Sequence, residues 1–321
     1  MPRRVDGPAS AMTPRYPMPQ PYGWFHVCYS DELPNGAVLA FRFFGREVVL
    51  FRTAQGRAHL VDAFCPHLGA HLGHGGRVVG ESLVCPFHGW HFDGEGVCVD
   101  IPYARSGSKL VGRRCLQTWE VCEANRSIFA WYHPGSARPH FEVVRLPELT
   151  HSDEQWTPLL RRRWVVRCHI QEAHENIADR AHFACVHGLE PSLQYSFEGH
   201  RSRIVMDSAP PGVSLPTRIV TERNGPGQSW AHYEGFPRFL VLDTVTPIDD
   251  ERVAFNVAVT FHGLGAERMR AVHEKVLGDI CAQVERDIPI FEHKIYRSKP
   301  LYCEQDGPIA EFRKWYGQFY A

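Results

Sequence analysis

The chain has 321 residues, 44% of them hydrophobic and 22% charged, with 35 Lys plus Arg against 36 Asp plus Glu. That balance describes a globular protein whose net charge draws it neither to nucleic acid nor to an anionic membrane. No run of about 18 apolar residues occurs, so no membrane-spanning helix is expected. Residues 1–21 are rich in Pro and Arg and lack an apolar segment. They are expected to form a loosely ordered tail rather than a secretory signal, in a cytoplasmic protein. In that setting the ten cysteines imply metal ligands and free thiols rather than disulfides. Cys28, Cys98, Cys115, Cys122, Cys168, Cys185, Cys281 and Cys303 have no ligand spacing and are expected as small core residues.

In chain order, residues 38–43 and 47–51 flank Gly45 and predict a β-hairpin. Segments 60–64, 83–85, 90–92, 117–121 and 127–131 continue the strand pattern, with a tight turn at 93–96. A polar, Pro-containing stretch at 133–139 is the expected boundary, giving a tail over 1–21, an all-β domain over 22–135 and a mixed domain over 136–321. In the second half, 163–170 reads as a strand and 171–186 as a helix stopped by Gly188. Strands are expected again at 238–245 and 252–261, then a long helix over 266–297, bent at Pro289. The fold class is α+β.

The strongest chemical signal is Cys65-Pro66-His67-Leu68-Gly69 followed by Cys85-Pro86-Phe87-His88-Gly89-Trp90. Each loop supplies one Cys and one His. A [2Fe–2S] centre with two thiolates on one iron and two imidazoles on the other requires that set. A structural zinc site is the competing assignment, but zinc fingers keep Cys with Cys and place the His pair on a helix. In this CxH…CxxH form, residues 22–133 resemble the Rieske family. Respiratory Rieske proteins carry an additional Cys in each loop; Ala70 and Phe87 stand at those positions here, which points to the ferredoxin and oxygenase branch.

A ferredoxin could end near residue 130, so the segment Glu175-Asn176-Ile177-Ala178-Asp179-Arg180-Ala181-His182-Phe183-Ala184-Cys185-Val186-His187-Gly188 needs its own explanation. Two nearby His residues can supply two corners of a facial triad that leaves positions open for O2. On an ideal helix His182 and His187 would point about 140° apart, so the helix is expected to loosen before Gly188. The run from Asn176 to His187 resembles the iron-binding segment of Rieske oxygenases. The resemblance implies that both His residues bind mononuclear Fe(II) and that the third ligand is a distant Asp. Asp287 is the candidate: it shares a helical stripe with Ile280, Val284 and Phe291, and a carboxylate on an apolar face needs a partner. Glu285 and Asp279 are the local rivals.

Asn176 and Asp179 are the further candidate catalytic residues. The resemblance implies that Asp179 bridges His182 to a cluster His of a neighbouring subunit in a homotrimer; a plain supporting contact to His182 is the alternative. It also implies an N-terminal all-β Rieske [2Fe–2S] domain followed by an α+β, helix-grip-like catalytic domain with mononuclear iron. The reaction implied is reductive O2 activation at a substrate C–H bond. With no GxGxxG or flavin motif, a separate ferredoxin or flavin reductase must deliver electrons.

Ile101-Pro102-Tyr103-Ala104-Arg105, and the segment 300–320 with Phe312, Trp315, Tyr316, Phe319 and Tyr320, resemble the branch of 3-ketosteroid 9α-hydroxylase and cholesterol 7-desaturase. A sterol or steroid substrate follows from that resemblance, with aromatic acids, alkaloids or a non-enzymatic electron carrier as alternatives. The aromatic segment can equally be a docking helix that says nothing of substrate.

Overall fold

The computed structural model describes residues 15–106, 108–150, 155–207, 218–235, 237–263 and 266–321. Most of the expected tail, residues 1–14, lies outside them. Residues 15–21 are anchored rather than loose: the Tyr16 hydroxyl donates to Phe291 O at 3.2 Å, and the Arg15 guanidinium to Lys294 O at 2.8 Å.

The first half is built from eleven strands: β1 (Gly23–Tyr29), β2 (Val38–Phe43), β3 (Arg46–Arg52), β4 (Ala58–Asp62), β5 (Arg77–Val79), β6 (Ser82–Val84), β7 (His91–Phe92), β8 (Cys98–Asp100), β9 (Thr118–Trp119), β10 (Val121–Ala124) and β11 (Ser127–Tyr132). They form sheets of order β2-β3-β4-β9, β5-β6-β7-β8 and β1-β11-β10. The expected hairpin is β2–β3, with Phe44 and Gly45 both at positive φ, 51° and 75°; a two-residue turn that matches strand twist requires this. Val49, Phe51, Val61, Leu72, Leu83 and Phe92 fill the space between the first two sheets.

The second half opens with a short helix, α1 (Pro147–Thr150), and β12 (Leu160–Val166). The segment α2 (Ile170–Glu175), a 3-10 turn over Asn176–Ala178, and α3 (Arg180–His187) follow. Then come β13 (Ser192–Glu198), β14 (Arg201–Asp207), β15 (Arg218–Asn224), β16 (Gln228–Glu234), β17 (Phe239–Pro247) and β18 (Val253–Phe261), the long α4 (Ala266–His293) and α5 (Ile309–Tyr316). The strands make one antiparallel sheet, β12-β18-β17-β16-β15-β14-β13. Alternation along them sends Ile219, Thr221, Ala231, Tyr233, Val241, Phe255 and Val257 to one face. These side chains meet Ile280, Val284 and Phe291 of α4 across a shared cavity.

Three expectations are corrected. The helix expected over 171–186 is interrupted: Asp179 takes an extended conformation, φ −87° and ψ 96°, and its carboxylate accepts from His182 N–H at 3.1 Å, capping α3. The break precedes both His residues instead of loosening the last turn at His187, just before Gly188. The long helix is 266–293 and runs through Pro289. Among the eight cysteines expected in the core, Cys185 and Cys303 are exposed.

The two halves share one core. Phe25, Leu33, Phe43 and Leu50 pack in the same cluster as Val166, Val245, Phe255 and Phe291, and Thr246 Oγ1 donates to His26 O at 2.8 Å. His26 itself is buried; burial, then the Arg163 and Arg161 charges, hold its imidazole down at about 3. Burial likewise lowers His169 to about 4. An unfolded chain takes up these protons near 6.5, where the native one does not. This contribution to stability is therefore whole above about pH 6.5 and lost as pH falls through the interval down to the native values, at up to about 1.4 kcal/mol per pH unit per residue. Urea unfolding between pH 7 and 5 should show the decline, with a shallower slope in His26→Gln; equal slopes would contradict it.

Candidate metal centres and the cavity between them and the sheet

The loop after β4 carries Cys65 and His67, and the loop after β6 carries Cys85 and His88. The two are built alike. Cys65 N–H donates to Ala70 O at 2.9 Å and Gly69 N–H to Cys65 O at 2.9 Å; Cys85 N–H donates to Trp90 O at 2.8 Å and Gly89 N–H to Cys85 O at 3.1 Å. Gly69 and Gly89 close the turns at φ 74° and 69°, where a Cβ is strained. The His67 ring lies flat on Trp90, centroids 4.7 Å apart, and the Trp90 indole N–H donates to the Tyr103 hydroxyl at 2.8 Å. His67 and His88 approach to 4.7 Å between centroids. Burial, with the Cys85 thiol alongside, pushes the Cys65 thiol up to about 11, so a metal must displace its proton to bind. Thiol beside thiol and imidazole beside imidazole, drawn from two matched loops, fit a [2Fe–2S] cluster with unlike ends. Leu68 and Phe87, at the loop tips, are 64% and 61% exposed.

The second group forms where α3 meets α4. His187 Nε2 lies 2.8 Å from His182 Nε2, and Asp287 Oδ1 lies 3.1 Å from His182 Nε2 and 3.3 Å from His187 Nε2. Donors about 2.1 Å from one ion and at right angles stand about 3.0 Å apart. The triangle therefore fits one face of an octahedron better than the wider spacing of a tetrahedron, and leaves the opposite positions open. Burial pushes the Asp287 carboxyl up, but contacts from His182 and His187 outweigh it and hold the group below the usual carboxylate range. Asn176 Nδ2 donates to Asp287 Oδ2 at 2.9 Å, which turns Oδ1 toward the imidazoles. The Nδ1 atoms of His182 and His187 are buried without a hydrogen-bond partner among the described residues. The rivals lie elsewhere: Asp279 pairs with Lys275 at 2.7 Å, and Glu285 is exposed.

The triad opens on a cavity of about 190 Å³, small beside the roughly 300–1,000 Å³ that holds a drug-sized ligand. Ile177, Phe183, Leu189, Met206, Phe255 and Ile280 make much of its wall apolar. Thr221, Arg223 and Asp243 add polar groups from the sheet, and Gln283 one from α4. These four were not foreseen; the alternation Ile219, Thr221, Arg223 was the available signal, but β15 was not recognised as a strand.

The α5 helix backs this centre. Arg313 clamps Glu175 with two 2.7 Å hydrogen bonds, Tyr316 Oη lies 3.3 Å from His174 Nδ1, and Tyr320 Oη donates to Gln171 Oε1 at 2.5 Å. Phe312, Trp315, Tyr316 and Phe319 are buried against Trp24, Trp131, Phe141 and Ala178. The aromatic segment is thus a docking helix, and it supports the α2 end that carries Asn176.

Comparison with known proteins agrees with both halves. The family model of the Rieske [2Fe-2S] domain matches residues 23–120, and that of the 3-ketosteroid 9alpha-hydroxylase C-terminal domain matches residues 130–320. Cholesterol 7-desaturase nvd from Xenopus laevis is 31% identical, across 94% of this chain and 72% of that protein. A probable 3-ketosteroid-9-alpha-monooxygenase, oxygenase component, from Rhodococcus rhodochrous is 30% identical, across 93% and 79%. The crystal structure of apo dicamba monooxygenase superposes with a TM-score of 0.72 at 18% identity, covering 92% of this chain and 96% of that one; this likeness concerns the fold alone. No helix of the described residues is long and apolar enough to cross a membrane. The chain belongs to the Rieske non-haem iron oxygenases, as an oxygenase component that uses a [2Fe–2S] cluster and a mononuclear iron, in the branch of 3-ketosteroid 9α-hydroxylase and cholesterol 7-desaturase.

Proposed function

We propose that this chain is the terminal oxygenase of a Rieske monooxygenase system acting on a sterol or steroid, with electrons from a separate ferredoxin or flavin reductase. In this reading Cys65, His67, Cys85 and His88 hold the cluster, and His182, His187 and Asp287 hold the iron. When bound, the cluster relays electrons and the iron supplies reductive O2 activation. The observation that carries the reading is the octahedral-face triangle opening into a mostly apolar cavity. Steroid-named relatives over more than nine-tenths of the chain support the substrate class.

The protein's own contributions are specific. Asn176 aims the Asp287 carboxylate, Asp179 starts α3 so that His182 enters the cavity, and Ile177, Phe183 and Ile280 keep water from the reacting carbon. A homotrimer, with Asp179 linking His182 to a cluster His of the next subunit, is part of the proposal. The half-buried Asp179 and the exposed Leu68 and Phe87 beside the cluster loops support it.

The test is O2 uptake by iron-loaded protein with a surrogate reductase and NADH across a sterol and steroid panel, with products followed by mass spectrometry. Uptake coupled to an oxidised steroid is expected. A reducible cluster with no product from any steroid would remove the substrate assignment and move the search to aromatic acids and alkaloids.

A further inference from the structure

The sheet wall of the cavity holds a charged pair that the metal centres do not use. Arg223 on β15 is 4% exposed, and its Nε is buried without a hydrogen-bond partner among the described residues. Asp243 on β17 faces the same cavity, and its Oδ1 is likewise buried and unpartnered. Arg223 Nη2 and Asp243 Oδ2 stand 3.8 Å apart, too far for a direct hydrogen bond. Arg223 is buried and Asp243, 28% exposed, keeps one oxygen buried; charged groups left this incompletely paired are costly, and a ligand that completes them is favoured. The triad enters from α3 and α4, on the other side of the cavity.

We propose that a substrate hydroxyl completes this pair, accepting from the Arg223 guanidinium and donating to the Asp243 carboxylate. An oxygen about 2.8 Å from each partner closes a triangle over the 3.8 Å gap. A ketone accepts from Arg223 but leaves Asp243 without a donor. A carboxylate satisfies Arg223 but places like charge against Asp243. The pair therefore selects a hydroxylated substrate over its keto or acid counterpart. Only the skeleton bearing the hydroxyl rests on the sterol or steroid reading.

The test is anaerobic calorimetric titration of the holoenzyme with a hydroxysteroid and the steroid ketone of the same skeleton and position, and in parallel with decalol and decalone. Wild type is expected to bind each alcohol about tenfold or more tighter than its ketone, equivalent to about 1.4 kcal/mol. Asp243→Asn, whose amide can donate to a carbonyl, is expected to reverse the order. Equal affinities, a ketone preference in wild type, or an unchanged ratio in Asp243→Asn overturns the proposal. The wild-type ratio decides the matter even if the variant does not fold. If no steroid binds, but decalol is preferred and Asp243→Asn reverses that preference, the pair's role stands and the steroid reading falls. No binding or no preference in the decalin pair as well overturns both.

Discussion

Asp287→Ala is expected to abolish product formation and empty the mononuclear site, while the cluster keeps its iron, sulfide and visible spectrum. Asp287 is 9% exposed, and its two carboxylate oxygens are committed, Oδ1 to the imidazole pair and Oδ2 to Asn176. Alanine leaves two neutral imidazoles to bind a dication with no protein anion to offset its charge. The cluster loops lie in the other half of the chain, within a separate packing cluster, so their metal should be untouched. Iron and acid-labile sulfide assays, read beside turnover, separate the two centres. Retention of chelator-resistant mononuclear iron together with product would disprove the assignment of Asp287, and would send the search back to another carboxylate.

The second large effect concerns stability. Arg313→Ala is expected to cost about 3–5 kcal/mol, the range for stripping one partner from a buried ion pair. The side chains of Arg313 and Glu175 are only 16% and 7% exposed, and the clamp is bidentate. Burial alone would lower the guanidinium pKa, but the Glu175 contact more than reverses this, so it stays charged. Removing it leaves Glu175 buried with only the Gln171 amide, 3.5 Å away, as a partner, one residue before Asn176. Because the penalty comes from the orphaned charge, Arg313→Met combined with Glu175→Met should be less destabilised than Arg313→Ala. Denaturant unfolding of the three proteins checks this; a single-variant loss below about 1 kcal/mol would place the clamp among ordinary surface pairs.

The candidate metal ligands were legible in the sequence because their spacing is local: Cys65, His67, Cys85 and His88 lie on two short loops, and His182 and His187 on one helix. Asp287 was legible through an apolar stripe that a carboxylate ought not to share. The interruption at Asp179 was misplaced because it depends on a cap, a side chain folded onto a backbone N–H three residues on, which competes with helix propensity on nearly equal terms. Strands β13 to β16 were not recognised. Their alternation, as in Ser192–Glu198, carries polar and charged residues on one face and is only half apolar, and pairing with neighbours distant in sequence decides such segments. The Arg223 and Asp243 pair was illegible for the same reason, since its two halves meet only across the sheet.

The docking of α5 on α2 also sets an order of assembly during synthesis. Every strand that frames the cluster loops lies before residue 133, but Phe25, Phe43 and Leu50 complete their packing only once Val166, Val245 and Phe291 have been made. The candidate triad waits for Asp287, and α2, which leads into the turn bearing Asn176, waits longer still, for residues 309–320 to emerge and brace it. The candidate mononuclear site, although its two His residues lie near the middle of the chain, thus depends for its support on the last dozen residues to be made.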